Sequence, residues 1–260
     1  MPAEPILNGQ IGLVVGVANK RSIAWAIARA AAAEGATLAL TYQNERLAEN
    51  VQELAATLAD PQILPCDVAR DDQLDALFDA VRAKHGKLHF VIHGAAFAER
   101  EDLDRPFLQT SRAGFAKALD VSTYSLIALA SRAAPLMEQA GAGRLLTLTY
   151  LGSERVFPNY NVMGVAKAAL ESSVRYLAAE LGPKNICVNA ISAGPIKTLA
   201  AAGIPGFSQI LQVYRDRAPL RRTVDASEVA DVAVALLGPA GRAVTGEVIM
   251  VDGGYHVTGL

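Results

Sequence analysis

Tyr160 and Lys167 are residues whose types and spacing could do chemistry, and they stand seven positions apart. Seven residues are about two turns of an α-helix, so both side chains are predicted to lie on one helix face. A nearby ammonium group favours the ionised phenol and makes it a better proton donor, and a lysine can also hold ribose hydroxyls. Met163, four residues before Lys167, shares that face. The alternative interpretation is an ordinary amphipathic helix with a surface lysine and a core tyrosine.

A loop near the start of the chain could hold a phosphate. Residues 16–24 read GVANKRSIA and follow an apolar run. Gly16 lets the backbone turn tightly, and a helix beginning behind it would offer free N–H groups and a favourable dipole to a pyrophosphate. Ser22 could cap that helix and also donate its hydroxyl to a phosphate oxygen. Because Ala18 and the pair Ser22-Ile23 replace the later glycines of the usual Gly-x-Gly-x-x-Gly pattern, a plain strand-to-helix turn is the alternative.

The ends of the next two apolar runs carry candidates for binding the rest of a dinucleotide. Gln43 stands where dinucleotide-binding folds meet the adenine ribose, and its amide can bond ribose hydroxyls. No arginine pair for a 2′-phosphate follows it, which favours NADH and leaves NADPH as the alternative. Asp67 could accept a hydrogen bond from the adenine amino group while Val68 packs on the ring. Asp67 could equally cap the next helix.

The hydrophobic pattern supplies the elements that would position these residues. Short apolar runs alternate with amphipathic or alanine-rich runs, and no repeat or change of composition divides the chain. We predict strands over residues 11–17, 37–42, 62–66, 88–94, 144–150, 186–191 and 248–251, and helices over residues 23–34, 45–58, 73–85, 114–137, 161–181 and 226–237. This alternation is typical of the α/β class. We expect one doubly wound Rossmann domain over residues 1–260, with a mainly parallel sheet and helices on both faces.

Irregular segments and composition narrow the function further. Residues 97–112, 151–160 and 192–222 each follow a predicted strand, where ligands bind in open α/β sheets. The net charge of −2 argues against a nucleic-acid or membrane-surface partner. Cys66 and Cys187 are far apart and predicted to be buried thiols, and no Cys/His cluster suggests a metal site. Without a signal peptide or a spanning apolar run, a cytoplasmic protein is expected.

Together these motifs resemble a known family. The matching segments are GVANKRSIA at residues 16–24, TYQN at 41–44, PNYNVMG within residues 150–167, NAISAGPIKTLA at 189–200 and VDGG at 251–254. Over nearly its whole length the chain is similar to the short-chain dehydrogenase/reductase superfamily, and specifically to bacterial NADH-dependent enoyl-[acyl-carrier-protein] reductases. The resemblance implies hydride transfer from NADH to the β-carbon of a trans-2-enoyl thioester, carried by acyl carrier protein or coenzyme A, in fatty acid biosynthesis.

The spacing of the tyrosine makes chemical sense within that superfamily. Ketone-reducing members have a tyrosine four residues before the lysine, where this chain has Met163, and the phenol of Tyr160 lies nearly one turn earlier. In enoyl reduction the hydride goes to the β-carbon, and charge develops on the more distant thioester oxygen. A donor displaced along the helix suits this longer gap, because a donor stabilises charge best where the charge appears.

The resemblance assigns roles to individual residues. The implied catalytic residues are Tyr160, which donates to the enolate oxygen, Lys167, which holds the nicotinamide ribose, and Tyr150, which lines the site. The implied cofactor-binding residues are Gly16, Ser22, Ile23, Gln43, Asp67, Val68, Ala95, Lys167, Ile196, Lys197, Thr198, Leu199 and Ala200. The implied substrate-binding residues are Ala98, Tyr150, Tyr160, Met163 and Phe207, and no metal is implied.

Two features depart from the family pattern. The small residues Gly94, Ala95 and Ala96 follow His93, where larger side chains are usual, and this predicts a wider site beside the cofactor. Residues 200–214 are interpreted as part of a mobile lid over residues 193–222, or as an amphipathic surface helix. They contain no lysine or arginine to meet an acidic carrier protein, so the arginines that follow are the candidates: Arg215, Arg217, Arg221 and Arg222.

The resemblance also implies a homotetramer, and the alanine-rich stretches 122–134 and 166–179 would allow close approach of helices between subunits. One alternative function is a related short-chain reductase acting on another conjugated carbonyl in specialised metabolism. A second alternative, from another class, is a non-catalytic dinucleotide-sensing protein. The presence of Tyr150, Tyr160 and Lys167 argues against a sensor, because a sensor does not need a placed acid.

Overall fold

A parallel sheet forms the centre of the molecule. The computed structural model describes residues 4–199, 201 and 206–259. In this part of the chain the strands are β1 (Ile11–Val15), β2 (Thr37–Tyr42), β3 (Gln62–Pro65), β4 (Phe90–His93), β5 (Gly143–Thr149), β6 (Ile186–Ala193) and β7 (Val248–Val251). Their order is β3-β2-β1-β4-β5-β6-β7, and every neighbouring pair is parallel. The strand order changes direction between β1 and β4, where open sheets of this kind bind ligands.

Helices cover both faces of the sheet. They are α1 (Ile23–Ala33), α2 (Glu45–Ala55), α3 (Asp71–His85), α4 (Arg100–Asp104), α5 (Arg112–Leu119), α6 (Ser125–Ala140), α7 (Asn161–Leu181), α8 (Phe207–Arg217) and α9 (Ala226–Leu237). The buried residues of α3, α6 and α7 form one core layer, and those of α1, α2 and α9 form the other. This arrangement confirms the predicted α/β class and the doubly wound sheet.

The central strands are buried on both sides, as continuous apolar runs predict. Successive side chains of a strand point to opposite faces, so Leu13 and Val15 of β1 pack into one layer and Val14 into the other. Cys66 and Cys187 are buried and unpaired, as expected. Among the described residues, no helix combines the length and the apolar character that a membrane crossing needs.

Several predicted elements differ from the structure. The helix predicted over residues 114–137 is interrupted by a π-helical turn at Asp120–Tyr124. A hydroxyl side chain of this turn forms a hydrogen bond outside it. Thr123 Oγ1 donates to the carbonyl of Ala166 at 2.8 Å, and such side-chain bonds compete with a regular helix. The strand predicted to reach residue 17 ends at Val15, since Gly16 adopts a φ of 99°. Helix α4 lies in a segment predicted to be irregular, and α8 falls in the stretch for which an amphipathic surface helix was the alternative.

Candidate active site

A cavity of about 610 Å³ opens at the carboxyl ends of β1, β4, β5 and β6. It brings together residues that are distant in sequence and were predicted to share a site. Those lining it are Gly16, Ser22, Ile23, Gln43, Val68, Ala95, Ala98, Tyr150, Tyr160, Met163, Lys167, Ile196, Thr198, Leu199 and Phe207. Asp67 and Lys197 are not among the lining residues, and Ala200 lies outside the described part of the chain.

The two central strands approach each other closely at the floor of the cavity. Gly16 has a φ of 99°, and a Cβ atom there would stand 2.5 Å from the carbonyl carbon of Gly94. A Cβ at Gly94 would in turn lie 2.9 Å from the carbonyl oxygen of Val15. Only glycine fits both positions without moving the backbone. The loop after β1 therefore presents bare main chain to whatever binds there.

The Ser22 side chain faces that loop and does not cap α1. Its Oγ accepts hydrogen bonds from the backbone N–H groups of Ala18 and Asn19, each at 3.1 Å, and makes no capping bond to the helix. The predicted capping role is wrong, because the loop takes both lone pairs of the hydroxyl. Two consequences follow. The Ser22 hydroxyl keeps its proton for donation, and the first turn of α1 keeps N–H groups for an anion.

Two predicted cofactor residues are not among those lining the cavity. Oδ1 of Asp67 accepts from the N–H of Ala69 at 3.1 Å, within its own loop. Asp67 does not cap the next helix, since α3 begins later, after Arg70. Its neighbour Val68 does line the cavity. Lys197 is exposed while Ile196 and Thr198 line the cavity, as alternation in an extended segment produces.

Lys167 lies on α7 and is held against the end of β5. Its Nζ donates to the backbone carbonyl of Leu148 at 2.8 Å, and the side chain is 7% exposed. Burial lowers the pKa of this ammonium to about 8, and the carboxylate of Glu171 opposes that shift. Lys167 is therefore charged at neutral pH and loses its proton at a pH only slightly above neutral.

Tyr160 precedes the first turn of α7 and is fixed from several sides. Asn159 and Asn161 adopt left-handed φ values of 62° and 38°, a region that asparagine tolerates better than most residues. Nδ2 of Asn161 donates to the carbonyl of Leu103 at 3.1 Å and ties the turn to α4. The Tyr160 ring lies directly over Gly152, so that a Cβ at Gly152 would collide with it.

The phenol of Tyr160 is neutral, and its environment differs from the one predicted. Burial raises its pKa above the ordinary value, and Tyr150 and Glu171 raise it further. The expectation that Lys167 would make this phenol more acidic is wrong, because the ammonium group is directed at the Leu148 carbonyl. Tyr160 is thus suited to donate a hydrogen bond as a neutral hydroxyl.

Aromatic side chains form one wall around Tyr150. Its ring centroid lies 5.0 Å from that of Tyr160 in an edge-to-face arrangement and 4.9 Å from that of Phe157. Tyr214 of α8 stacks on Tyr255 with centroids 3.9 Å apart. The buried hydroxyls of Tyr150 and Tyr214 interact with each other. Burial raises the pKa of both phenols, and each influences the ionisation of the other.

Sequence reasoning missed several residues of this site. Further lining residues include Thr41, Leu47, Cys66, Phe97, Arg100, Leu103, Val121, Thr149 and Ile210. Beneath the cavity His93 is fully buried, with Nδ1 2.7 Å from Thr147 Oγ1 and Nε2 2.8 Å from Ser125 Oγ. Burial lowers the pKa of His93 to about 3, so this imidazole is neutral. The sequence did contain a sign of these residues, because His93 and Thr149 are polar residues within otherwise apolar predicted strands.

This fold and this cavity define a nicotinamide-dependent oxidoreductase of the short-chain dehydrogenase/reductase class. Glycine main chain and a helix N-terminus line the cavity together with a buried lysine of α7 and a buried tyrosine just before that helix. A family model described as enoyl-(acyl carrier protein) reductase matches residues 16–256. The chain belongs to this family, which confirms the resemblance inferred from its motifs.

Relatives and solved structures agree with this assignment. The enoyl-[acyl-carrier-protein] reductase [NADH] FabI of Bacillus cereus is 53% identical over 256 residues, which cover 98% of this chain and 99% of the relative. Enoyl-[acyl-carrier-protein] reductase [NADH] 1 of Rhizobium meliloti is 51% identical over 258 residues, covering 99% and 94%. The Bacillus cereus reductase structure with NADP+ and indole naphthyridinone has a TM-score of 0.95 at 53% identity, covering 98% and 99%. The Anaplasma phagocytophilum reductase with NAD has a TM-score of 0.95 at 44% identity, covering 100% and 98%.

Proposed function

We propose that this chain is an NADH-dependent enoyl-[acyl-carrier-protein] reductase of fatty acid biosynthesis. The observation that carries the proposal is the pair of buried side chains Tyr160 and Lys167, which line one cavity together with the glycine loop after β1. Tyr160 stands seven residues before Lys167, and Met163 occupies the position four residues before it. That spacing supports reduction of a conjugated double bond rather than of a ketone.

The residues at one end of the cavity fit a dinucleotide. The close approach of Gly16 and Gly94 leaves room for a ligand against main chain, and the uncapped first turn of α1 provides N–H donors for phosphate oxygens. The residues proposed to hold NADH are Gly16, Ser22, Ile23, Gln43, Val68, Ala95, Lys167, Ile196, Thr198 and Leu199. NADH supplies the hydride that goes to the β-carbon of the substrate. Gln43 and the names of the relatives support NADH over NADPH.

The other end of the cavity fits an acyl chain next to a hydrogen-bond donor. Ala98, Met163 and Phe207 provide apolar surface beside Tyr150 and Tyr160. As the double bond is reduced, negative charge collects on the thioester oxygen, and the neutral hydroxyl of Tyr160 is proposed to donate to it. A donor already fixed in a buried site needs little reorganisation at that moment, which makes its contribution large. The buried charge of Lys167 is proposed to hold the ribose and to orient the nicotinamide end of the site.

The segment of residues 193–222 is proposed to act as the substrate lid. Its helix α8 contributes Phe207 and Ile210 to the cavity wall. For the acidic carrier protein, Arg215 and Arg217 are proposed contacts, because both are exposed on the last turn of α8. Arg222 is already paired with Glu228 at 2.6 Å.

The proposal is tested by following NADH oxidation with crotonyl and dodecenoyl thioesters, each on coenzyme A and on acyl carrier protein. We expect rapid oxidation with the long chain and a higher kcat/KM for the carrier-protein form. NADPH is measured in parallel and should give a lower kcat/KM. Binding of NADH without oxidation of any of these thioesters would contradict the proposal and favour another conjugated substrate or a sensing role.

A further inference from the structure

A buried carboxylate lies behind the proposed catalytic residues. Glu171 is on α7, one turn beyond Lys167, and is 6% exposed. Glutamates are rarely buried unless they are paired. Oε1 of Glu171 accepts a hydrogen bond from Oγ1 of Thr149 at 2.6 Å, and this bond is itself buried. The group therefore has a fixed position close to the proposed catalytic residues, and the proposed reaction gives it no direct contact with substrate or cofactor.

The partners of Glu171 and Lys167 are consecutive residues of one strand. The Lys167 ammonium donates to the carbonyl of Leu148 at 2.8 Å, and the Thr149 hydroxyl holds the carboxylate at 2.6 Å. Both residues of α7 are thereby attached to the last two residues of β5. Because one helical turn separates Lys167 from Glu171, opposite charges are placed on the same face of α7.

We propose that Glu171, held by Thr149, is a positioning residue that keeps Lys167 charged and in place against β5. Glu171 does not line the cavity, so it acts on the reaction through Lys167. The kinetic consequences of this inference rest on the proposed function. Its electrostatic consequences rest on the geometry of these three residues alone.

The surroundings of Lys167 show why a carboxylate matters there. Burial disfavours a charged ammonium group, and Glu171 opposes this effect. From β4, His93 faces the same region but is neutral, because burial lowers its pKa to about 3. Tyr150 after β5 and Tyr160 before α7 are also neutral, because burial raises the pKa of both. Within the described part of the chain, Glu171 is thus the anion that acts on Lys167.

The direction of the pH effect follows from the sign of these charges. Lys167 is charged below its pKa and loses its charge as the pH rises through that value, which is about 8. Without the carboxylate of Glu171, the pKa of Lys167 falls. Steps that need the charged lysine then fail at a lower pH than in the wild-type protein.

The kinetic test compares pH profiles of kcat/KM between pH 6 and pH 10 for the wild type, Glu171→Gln and Thr149→Val. Glutamine keeps the size and an oxygen for Thr149, while valine keeps the shape of threonine. We expect the alkaline limb of Glu171→Gln to move about one pH unit lower, a loss of about tenfold in relative activity at pH 9. Thr149→Val should move it in the same direction by less. Glu180→Gln, on the exposed side of the same helix, is the matched control and should leave the profile unchanged.

A second measurement separates this inference from the proposed function. The Lys167 side chain is titrated by NMR of protein carrying labelled lysine, with its signal assigned by its loss in Lys167→Met. A lower pKa of Lys167 in Glu171→Gln supports the inference even if no thioester is reduced. The inference is overturned if both the titration of Lys167 and the alkaline limb of kcat/KM are unchanged in Glu171→Gln, even where the overall activity of this variant is lower. If Glu171→Gln does not fold, Thr149→Val decides by the same two criteria.

Discussion

At the residue scale, the proposed chemistry depends on a phenol that stays neutral. Tyr160 is buried under an aromatic wall, and its pKa is raised by that burial. A neutral phenol can donate to an oxygen that becomes negative during the reaction, which an ionised phenol cannot do. Lys167 contributes charge nearby while its own proton is engaged by the Leu148 carbonyl.

Replacement of Tyr160 by phenylalanine removes the donor while keeping the ring over Gly152. We expect kcat for enoyl thioester reduction to fall about 10²- to 10³-fold, the usual effect of removing one donor to a developing oxyanion. The dissociation constant for NADH, measured by fluorescence titration, should stay close to the wild-type value. A variant with wild-type kcat would show that the donor to the thioester oxygen is another group.

Replacement of Gly16 by alanine tests the close approach of β1 and β4. The left-handed φ and the 2.5 Å approach to Gly94 predict a loss of about 1–3 kcal/mol in the free energy of unfolding, together with weaker NADH binding. Gly86→Ala is the matched control, because Gly86 has a φ of 72° but open space around its Cβ position. It should cost less stability in urea unfolding and leave NADH binding intact. Equal effects of the two substitutions would show that steric contact at Gly16 is unimportant.

Individual contacts were the hardest features to predict from the sequence. The phosphate loop was recognisable from Gly16 and Ser22, but the direction of the Ser22 hydroxyl depends on loop N–H groups three and four residues away. Spacing likewise did not predict that the Asp67 carboxylate accepts from the Ala69 N–H in its own loop. The Glu171–Thr149 bond joins a helix to a strand 22 residues away and leaves no periodic signal.

At the scale of elements, hydrophobic periodicity located most strands and helices. The bounds of α7, β2 and β7 agree with prediction, because each has a strong apolar pattern and clear turn residues at its ends. The π-helical turn between α5 and α6 was not predictable in this way. Two side-chain hydrogen bonds accompany it, from Ser125 to the Val121 carbonyl and from Thr123 to the Ala166 carbonyl of α7.

Helix α8 provides a prediction about a buried hydroxyl. Tyr214 is 1% exposed, stacks on Tyr255, and its hydroxyl interacts with that of Tyr150. Because loss of one partner leaves the buried Tyr150 hydroxyl unsatisfied, Tyr214→Phe should keep the stack and lower the free energy of unfolding by about 1 kcal/mol. Tyr214→Ala should lower it by about 3–5 kcal/mol through loss of the packed ring. Both are measured by urea unfolding, and an unchanged or higher stability of Tyr214→Phe would show that the contact with Tyr150 does not stabilise the fold.

At the scale of the whole molecule, exposed apolar side chains on two long helices favour association. Tyr124 just before α6, Ile127 of α6, and Val165 and Tyr176 of α7 are exposed large hydrophobic residues. Pairing of these helices between subunits would remove such side chains from water. We propose that these helices pair between subunits in a homotetramer, as the alanine-rich stretches of the sequence suggest.

Light scattering coupled to size exclusion should give a mass near four times 27.3 kDa. Replacing Tyr176 by glutamate should shift the mass towards smaller species, because a charge would enter an apolar contact. The same change at Leu108, which is almost fully exposed on a short turn away from both helices, is the control and should leave the mass unchanged. A monomeric wild-type protein would contradict the proposed assembly.

The order of the strands has a consequence for synthesis on the ribosome. β1 pairs on one side with β2, which follows it closely, and on the other with β4, whose first residue comes about 75 positions after Val15. At roughly 5–20 residues per second, a ribosome needs about 4–15 s to make that stretch. Throughout this interval one edge of this apolar strand lacks its neighbour, and such edges favour pairing with other chains. The nascent chain is therefore expected to depend on chaperones until Phe90–His93 has emerged.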